Sequence, residues 1–453
     1  MDLRNKTVLV AGTGISGIGA VELLLNTEAS LILYDGNTKL TEEGVRAKLP
    51  NDANVNIIIG ELSDEVIRTV DIAVLSPGVP TDVEFVNRMR DNGTLIWGEL
   101  ELADQFAKGT VLAITGTNGK TTTTTLVGEI LKNYFKSVYV VGNIGTSYAG
   151  VALDTTEDSY IVAETSSFQL ETVDAFHPKV SAILNLTPDH LNRHHTMEGY
   201  VAAKKNIMKN QTAEDYVILN YDDPLTREIG KNCIPKPVYF SSTQILKDGY
   251  YFNDKKIYHA VNGESEYICS SDELAILGLH NMENIMAATA MAQCIQIPLD
   301  IIRKTVKAFR GVEHRIEYVT EKQGVVYYND SKGTNPDAAI KAIQAMVRPT
   351  VLIGGGYDKA SDFSEWIEAF GDKVRWLVLL GDTANQIADC ARQHGFDNIV
   401  MTKSLSEAVQ VCSEKAEKGD AVLFSPACAS WDMFDNYEQR GRLFKEYVNK
   451  LSD

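Results

Sequence analysis

Short apolar runs rich in Val, Ile and Leu recur along the chain. Each meets a glycine-rich or polar turn and then a stretch with helical spacing. Such runs read as strands buried in parallel sheets, and their alternation with helices reads as doubly wound α/β units. The first run, Thr7-Val-Leu-Val-Ala11, is followed by Leu31-Ile-Leu-Tyr-Asp35 and by Ile72-Ala-Val-Leu75, which breaks at Ser76-Pro-Gly. The pattern changes near Trp97-Gly-Glu and restarts at Val111-Leu-Ala-Ile-Thr. It continues through Ser137-Val-Tyr-Val-Val, Ser159-Tyr-Ile-Val-Ala and Val180-Ser-Ala-Ile-Leu. From 236 to 270, short alternating strands with Asn, Asp and Gly turns predict an antiparallel edge. An amphipathic helix is expected from Gly199, and a long Ala/Met-rich helix from Gly278-Leu-His-Asn-Met-Glu-Asn284. After Phe309-Arg-Gly the alternation returns, with runs at Val325, Thr350, Trp376 and Asp420. The triplet Gly354–Gly356 reads as a tight βα turn, since no Lys-Thr pair follows it. The expectation is three α/β domains, 1–98, 99–311 and 312–453. The outer two are Rossmann-like, and the central one is a P-loop unit with a mainly parallel sheet and an antiparallel edge.

Composition narrows the class. The chain has 453 residues, 44% hydrophobic and 23% charged, as expected for a globular protein with several cores. It has no apolar run of about 18 residues, and Met1-Asp-Leu-Arg-Asn-Lys enters the first strand without a signal-peptide core. Six scattered cysteines without C-x-x-C spacing read as reduced thiols, so a cytoplasmic location is expected. A formal net charge of −18 argues against binding nucleic acid or an anionic membrane.

The chemistry concentrates in Val111–Thr124, a strand, a Gly-bounded turn and a helix opening with a row of threonines. Backbone N–H groups of Gly116, Thr117, Asn118, Gly119 and the helix start at Thr121 and Thr122 would cradle phosphates, with Lys120 as cation. The Thr121 hydroxyl stands where a P-loop Ser or Thr holds Mg²⁺. The longer G-x-x-x-x-G-K-[ST] spacing would put Gly where Ile114 stands, so this is the shorter G-T-N-G-K-T form. It predicts nucleoside triphosphate binding. Glu164 and His190 follow other strands of the same segment, and in a parallel sheet such strand ends share one edge with the P-loop. Asn281 and Asn284 lie three apart at a helix start, where their amides can reach a base or a phosphate. Lys204 and Lys205 read, on composition alone, as a solvated pair. Gly12, Gly14 and Gly17 with Asp35 form a G-x-G-x-x-G fingerprint that fits any nucleoside diphosphate as well as a nicotinamide cofactor.

Taken together, these motifs resemble those of the Mur ligases along essentially the whole chain. The P-loop Thr115-Gly-Thr-Asn-Gly-Lys-Thr-Thr and His280-Asn281 are similar to positions shared with folylpolyglutamate synthases. His314-Arg315 and Asp330-Ser-Lys are similar to superfamily positions that meet ATP. Glu164-Thr-Ser-Ser-Phe-Gln-Leu-Glu and Ser425-Pro-Ala-Cys-Ala-Ser-Trp-Asp-Met-Phe resemble the members that add D-glutamate. The Asp-Asn-Pro-Arg signature of the diamino-acid-adding members is absent.

The resemblance implies an ATP-dependent ligation in which the carboxylate of UDP-N-acetylmuramoyl-L-alanine becomes an acyl phosphate and the D-glutamate amine displaces phosphate. It implies two Mg²⁺ sites drawn from Thr121, Glu164, His190 and Lys204, with Lys204 carbamylated, and catalytic roles for Lys120, Glu164, His190 and Lys204. ATP would also meet Asn281, Asn284, Arg315 and Asp330. Ser16, Asp35 and Ser76 would hold the uridine diphosphate, and Asn143 the alanyl group. Lys332, Thr334, Lys359, Ser430 and Tyr437 would frame D-glutamate. The chain departs from the family at Gly36-Asn37, where an Arg is common, and at Tyr437, where Phe is common. A monomer is expected, with no nucleic-acid or membrane partner. The alternatives are a folylpolyglutamate synthase-like ligase and a nicotinamide-dependent oxidoreductase; the latter leaves the P-loop without a role.

Overall fold

The computed structural model describes every residue except Gly145, 358–360, Asp453 and the side chain of Asn192. Three sheets carry the fold. The first joins β1 (Thr7–Ala11), β2 (Ser30–Asp35), β3 (Val55–Ile59), β4 (Ile72–Leu75) and β5 (Leu95–Gly98) in the order β3-β2-β1-β4-β5, all parallel. Strand order reverses beside β1, so the loops after β1 and β4 flank a switch point, where doubly wound sheets bind ligands.

The second sheet contains β6 (Thr110–Thr115), β7 (Val138–Gly142), β8 (Tyr160–Glu164), β9 (Val180–Ile183), β10 (Tyr216–Asn220), β11 (Lys236–Ser241), β12 (Gly249–Asn253), β13 (Lys256–Val261) and β14 (Glu264–Ser270). Its order is β14-β13-β12-β11-β10-β9-β6-β8-β7. The strand before the P-loop, β6, lies between β8 and β9, and both pairings are parallel. The expected antiparallel edge is narrower than 236–270. Strand β11 still pairs parallel with β10, and β12 with β11; the direction first reverses between β12 and β13, across the Asp254-Lys255 turn at positive φ. Alternating polarity marks an exposed edge but not strand direction.

The third sheet runs β15-β16-β20-β17-β18-β19, from β15 (Glu317–Lys322), β16 (Val325–Asn329), β17 (Thr350–Gly354), β18 (Val374–Leu379), β19 (Ile399–Met401) and β20 (Ala421–Phe424). Only β15 is antiparallel to its neighbour. The Gly354–Gly356 triplet is not a tight βα turn, because among the described residues the next helix starts at Ser364. Gly355 instead donates to Pro426 O at 2.9 Å, joining two loops at the C-terminal ends of strands.

By packing, the chain divides into two compact units, Met1–Ile268 with Glu283–Thr305, and Cys269–Met282 with Val306–Asp453. In the first unit one continuous core runs from Val8, Val10 and Leu33 through Trp97, Leu100 and Phe176 to Ala113, Ile161 and Ile183. In the second, apolar clusters cover both faces of the third sheet, around Trp366 and Leu352 on one side and Phe424 and Phe444 on the other. Among the described residues no helix is long and apolar enough to cross a membrane.

Candidate active site

In the first unit the loop after β6 turns through Gly116 and Gly119, both at positive φ, into the helix Lys120–Lys132. At Gly119 a Cβ would run into the Asn284 amide oxygen, so the close approach and the φ of 85° both call for glycine. The loop is held from the end of β9. Thr117 N donates to Asn185 O (2.9 Å), Asn118 N to Asn185 Oδ1 (2.8 Å), and Thr187 N to Thr117 Oγ1 (3.0 Å). Thr123 Oγ1 lies 3.3 Å from Asn284 Oδ1. The result is a preformed turn at the start of a helix, the geometry that receives an anion.

Two ammonium groups converge on this turn. Lys120 Nζ donates to Gly116 O (3.0 Å) and Thr117 O (2.9 Å). Lys204, in the helix Met197–Lys205, is 2% exposed and donates to Thr115 Oγ1 (3.2 Å) and Gly116 O (2.9 Å). Its Nζ also lies 4.9 Å from the centre of the Tyr200 ring, one helical turn back. Burial first and the neighbouring Lys120 second bring its pKa down to about 7, against the pull of Asp189 and Glu164. The composition-based reading of a solvated pair therefore fails for Lys204, while Lys205 is exposed.

Glu164 ends β8 and is buried. Asn143 Nδ2 donates to its Oε1 at 2.9 Å, whereas Oε2 is buried with no hydrogen-bond partner. A bare buried carboxylate oxygen is costly unless a ligand completes it, and a divalent cation suits it. Among the described residues no three His, Cys, Asp or Glu are grouped to hold a metal. A hard cation here would draw further oxygens from the Thr121 hydroxyl, water and phosphate, which is the habit of Mg²⁺. His190 lies apart from the turn in its contacts. It is left-handed, its side chain is half exposed, and it meets Asp189 Oδ2 (3.5 Å) and the Phe168 ring (4.9 Å between centres).

Around the first switch point, a Cβ on Gly17 would collide with Gly12 O, so the helix packs directly on the turn. Asp35 is engaged with this loop: Oδ2 accepts from Thr13 N (3.1 Å) and Thr13 Oγ1 (2.8 Å), and Oδ1 from Asn37 N (3.0 Å). Ser16 is half-buried at the helix start, and Ser76 Oγ is buried without a partner.

The second unit carries its own polar cluster. Asp330 is buried, accepts from Ser425 Oγ (2.7 Å) and Ile316 N (3.2 Å), and burial pushes its pKa up to about 7. Arg440, also buried, donates from Nε to Ser331 Oγ (3.1 Å), from Nη1 to Ala429 O (3.0 Å), and from Nη2 to Ser331 O (2.8 Å) and Cys428 O (3.1 Å). Ser331 Oγ donates to Tyr437 O (2.8 Å), and Lys332 Nζ lies 5.8 Å from the Tyr437 ring centre. The Tyr437 hydroxyl is pushed up to about 12 by burial and by Glu438. Ser430 is buried and its carbonyl accepts from Phe434 N (2.9 Å); Thr334 N donates to Lys332 O (2.8 Å). Arg315 is exposed, and the Asn281 amide donates to Leu277 O (2.7 Å) within its own segment. Lys359 lies outside the described residues.

Sequence reasoning missed Tyr200, Asn185 and Arg440. A Tyr four residues before Lys204 on a helix was a usable signal for the first. No spacing pointed to Arg440, whose partners lie about ten and about a hundred residues away.

Comparison with known proteins agrees with this architecture. Residues 6–98 match the MurD-like N-terminal domain of Mur ligases, 114–292 the Mur ligase middle domain, and 314–428 the Mur ligase glutamate ligase domain. UDP-N-acetylmuramoylalanine–D-glutamate ligase of Lachnoclostridium phytofermentans is 55% identical over 453 residues, covering 100% of both chains. The enzyme of the same name from Clostridioides difficile is 45% identical over 452 residues, again covering 100% of both. In fold, the chain is similar to the UDP-N-acetylmuramate-alanine ligase MurC of Thermotoga maritima (TM-score 0.59, 21% identity, 98% of this chain and 99% of that one). It is also similar to the MurF ligase of the same organism, solved with ADP (TM-score 0.58, 18% identity, 99% and 96%).

Proposed function

The chain belongs to the Mur ligase family, and we propose from that premise that it joins D-glutamate to UDP-N-acetylmuramoyl-L-alanine at the expense of ATP. A carboxylate is a poor acyl donor. Transfer of the γ-phosphoryl group to its oxygen gives an acyl phosphate and ADP; the amine then attacks the acyl carbon, and phosphate leaves as the amide forms. The observation that carries this reading is the P-loop turn with its two converging ammonium groups beside the bare Glu164 oxygen.

Each residue has a share in that chemistry. The N–H groups from Gly116 to Thr122 and the Lys120 ammonium hold the triphosphate. On binding, Lys120 exchanges two loop carbonyls for phosphate oxygens. Thr121 and Glu164 would hold one Mg²⁺, and His190 and Lys204 a second; bound there, such ions would supply charge neutralisation between the triphosphate and the attacking carboxylate. Asn143, fixed on Glu164, orients the alanyl end. With a pKa of about 7, about half of the Lys204 amine is neutral at neutral pH, so it can take up CO₂ as a carbamate, releasing a proton. Asn281, Asn284, Arg315 and Asp330 attend ATP. Ser16, Asp35 and Ser76 attend the uridine diphosphate, and Lys332, Thr334, Lys359, Ser430 and Tyr437 attend D-glutamate. The boundaries 1–98, 99–311 and 312–453, a monomeric state and a cytoplasmic location belong to the same reading.

The test is phosphate release from ATP with UDP-N-acetylmuramoyl-L-alanine and each of D-glutamate, L-lysine, L-alanine and a folate. Release is expected with D-glutamate; turnover with another acceptor and none with D-glutamate rejects the proposal. Extra mass of one CO₂ on the peptide containing Lys204 tests the carbamate.

A further inference from the structure

The loop after β4 and the segment carrying His190 are fastened together by a guanidinium that the proposed reaction does not use. Arg193, in the short helix Leu191–His194, donates from Nη1 to Pro77 O (3.1 Å) and from Nη2 to Val79 O (3.2 Å) and Glu171 Oε2 (2.7 Å). Its Cζ lies 4.4 Å from the centre of the Phe168 ring, which on its own side meets the His190 ring. Arg193 and Glu171 are mostly buried, with side chains 12% and 15% exposed. Glu171 Oε1 is in turn 3.3 Å from His194 Nδ1, and His194 Nε2 is 2.9 Å from Ser167 Oγ.

These bonds are directional and charge-assisted, so they fix distance and orientation in a way that apolar packing alone would not. The cavity beside them, lined by Ser76, Pro77, Val79, Phe168, Gln169 and Arg193, has a volume of about 10 Å³. That is room for at most one water, so no substrate group reaches the guanidinium by this route. Arg193 therefore acts through other residues.

We propose that Arg193, backed by Glu171 and Phe168, is a positioning residue that clamps the Ser76–Val79 loop to the His190 segment and so fixes the spacing between the uridine-diphosphate loop and the acyl-phosphate end. The inference rests on the ligase reading. On that reading the clamp joins the loop at the nucleotide end to the segment at the acyl end, so its loss is felt by the donor substrate and by the chemical step. ATP, held by the separately braced P-loop, is spared.

The test uses steady-state kinetics of the full-length protein with all three substrates varied in turn. For Arg193→Ala, KM for the UDP-substrate is expected to rise about tenfold and kcat to fall, with KM for ATP changed by less than about twofold. Arg193→Lys or added guanidinium ion should restore part of the loss. Unchanged kinetics, or an equal rise in every KM without rescue, overturns the clamp alone. A wild-type protein with no turnover on these substrates overturns the ligase reading and the clamp with it. If Arg193→Ala does not fold, Glu171→Gln decides: a rise of about threefold in the same KM supports the clamp, and no change overturns it.

Discussion

Each compact unit buries a cation and a carboxylate, and the two pairs are finished to different degrees. In the second unit Arg440 has four bonds to main-chain and hydroxyl oxygens, and both Asp330 oxygens accept a hydrogen bond. In the first unit Lys204 lies on two oxygens of the P-loop strand and turn, and one Glu164 oxygen is bare. Arg440 keeps its charge, with burial bringing it only to about 10, whereas Lys204 is brought to about 7. Buried polar groups left incomplete cost stability, and they persist where a ligand completes them. The contrast separates a cluster that fastens loops from one arranged to receive phosphate and a cation.

The largest effect should break the first unit's chemistry without its fold. Lys120→Ala is expected to lower kcat/KM for ATP-driven phosphate release by about a thousandfold. Its thermal midpoint should stay near wild type, because the Gly116 and Thr117 carbonyls that Lys120 bonds belong to its own loop. Arg440→Met should do the reverse. Leaving buried oxygens of Ser331, Cys428 and Ala429 unpaired should destabilise the second unit by about 3 kcal/mol, read as faster amide exchange there. Equal exchange in both units would erase the distinction. Asn143→Ala, which removes the amide that donates to Glu164 Oε1, is expected to cost about tenfold in kcat, with KM for ATP little changed.

The smallest effect sharpens the comparison through pH. Lys204 is depressed from 10.5 to about 7, so the unfolded chain binds the extra proton in that window. Its contribution to stability is present above 10.5 and is lost as pH falls to about 7. Asp330 is raised from 3.8 to about 7, so the folded chain holds the extra proton. Its contribution is present below 3.8 and is lost as pH rises to about 7. Denaturation midpoints of Lys204→Met should gain on wild type as pH falls from 10 to 7, and those of Asp330→Asn should gain as pH rises from 4 to 7.

What the sequence revealed follows the same division. The P-loop was legible because its turn, cation and helix start are contiguous, and because parallel strands deliver Glu164 and the end of β9 to the same edge. The antiparallel edge was legible as a region but not in direction. Lys204 looked solvated because helical spacing alone does not tell which of two adjacent lysines faces inward; Tyr200 held that information. In the second unit, Asp330 and Ser425 lie 95 residues apart and Arg440 and Ser331 109 apart, so only the fold joins them. Nothing local announces a buried arginine whose partners are backbone carbonyls.

The central claim is that the P-loop delivers phosphate to a substrate carboxylate. The direct measurement is turnover of UDP-N-acetylmuramoyl-L-alanine labelled with ¹⁸O in its alanyl carboxylate, followed by mass analysis of the phosphate released. An acyl-phosphate route carries one carboxylate oxygen into phosphate, so each phosphate formed from fully labelled substrate should hold one ¹⁸O. Unlabelled phosphate formed together with the D-glutamyl product would contradict the account.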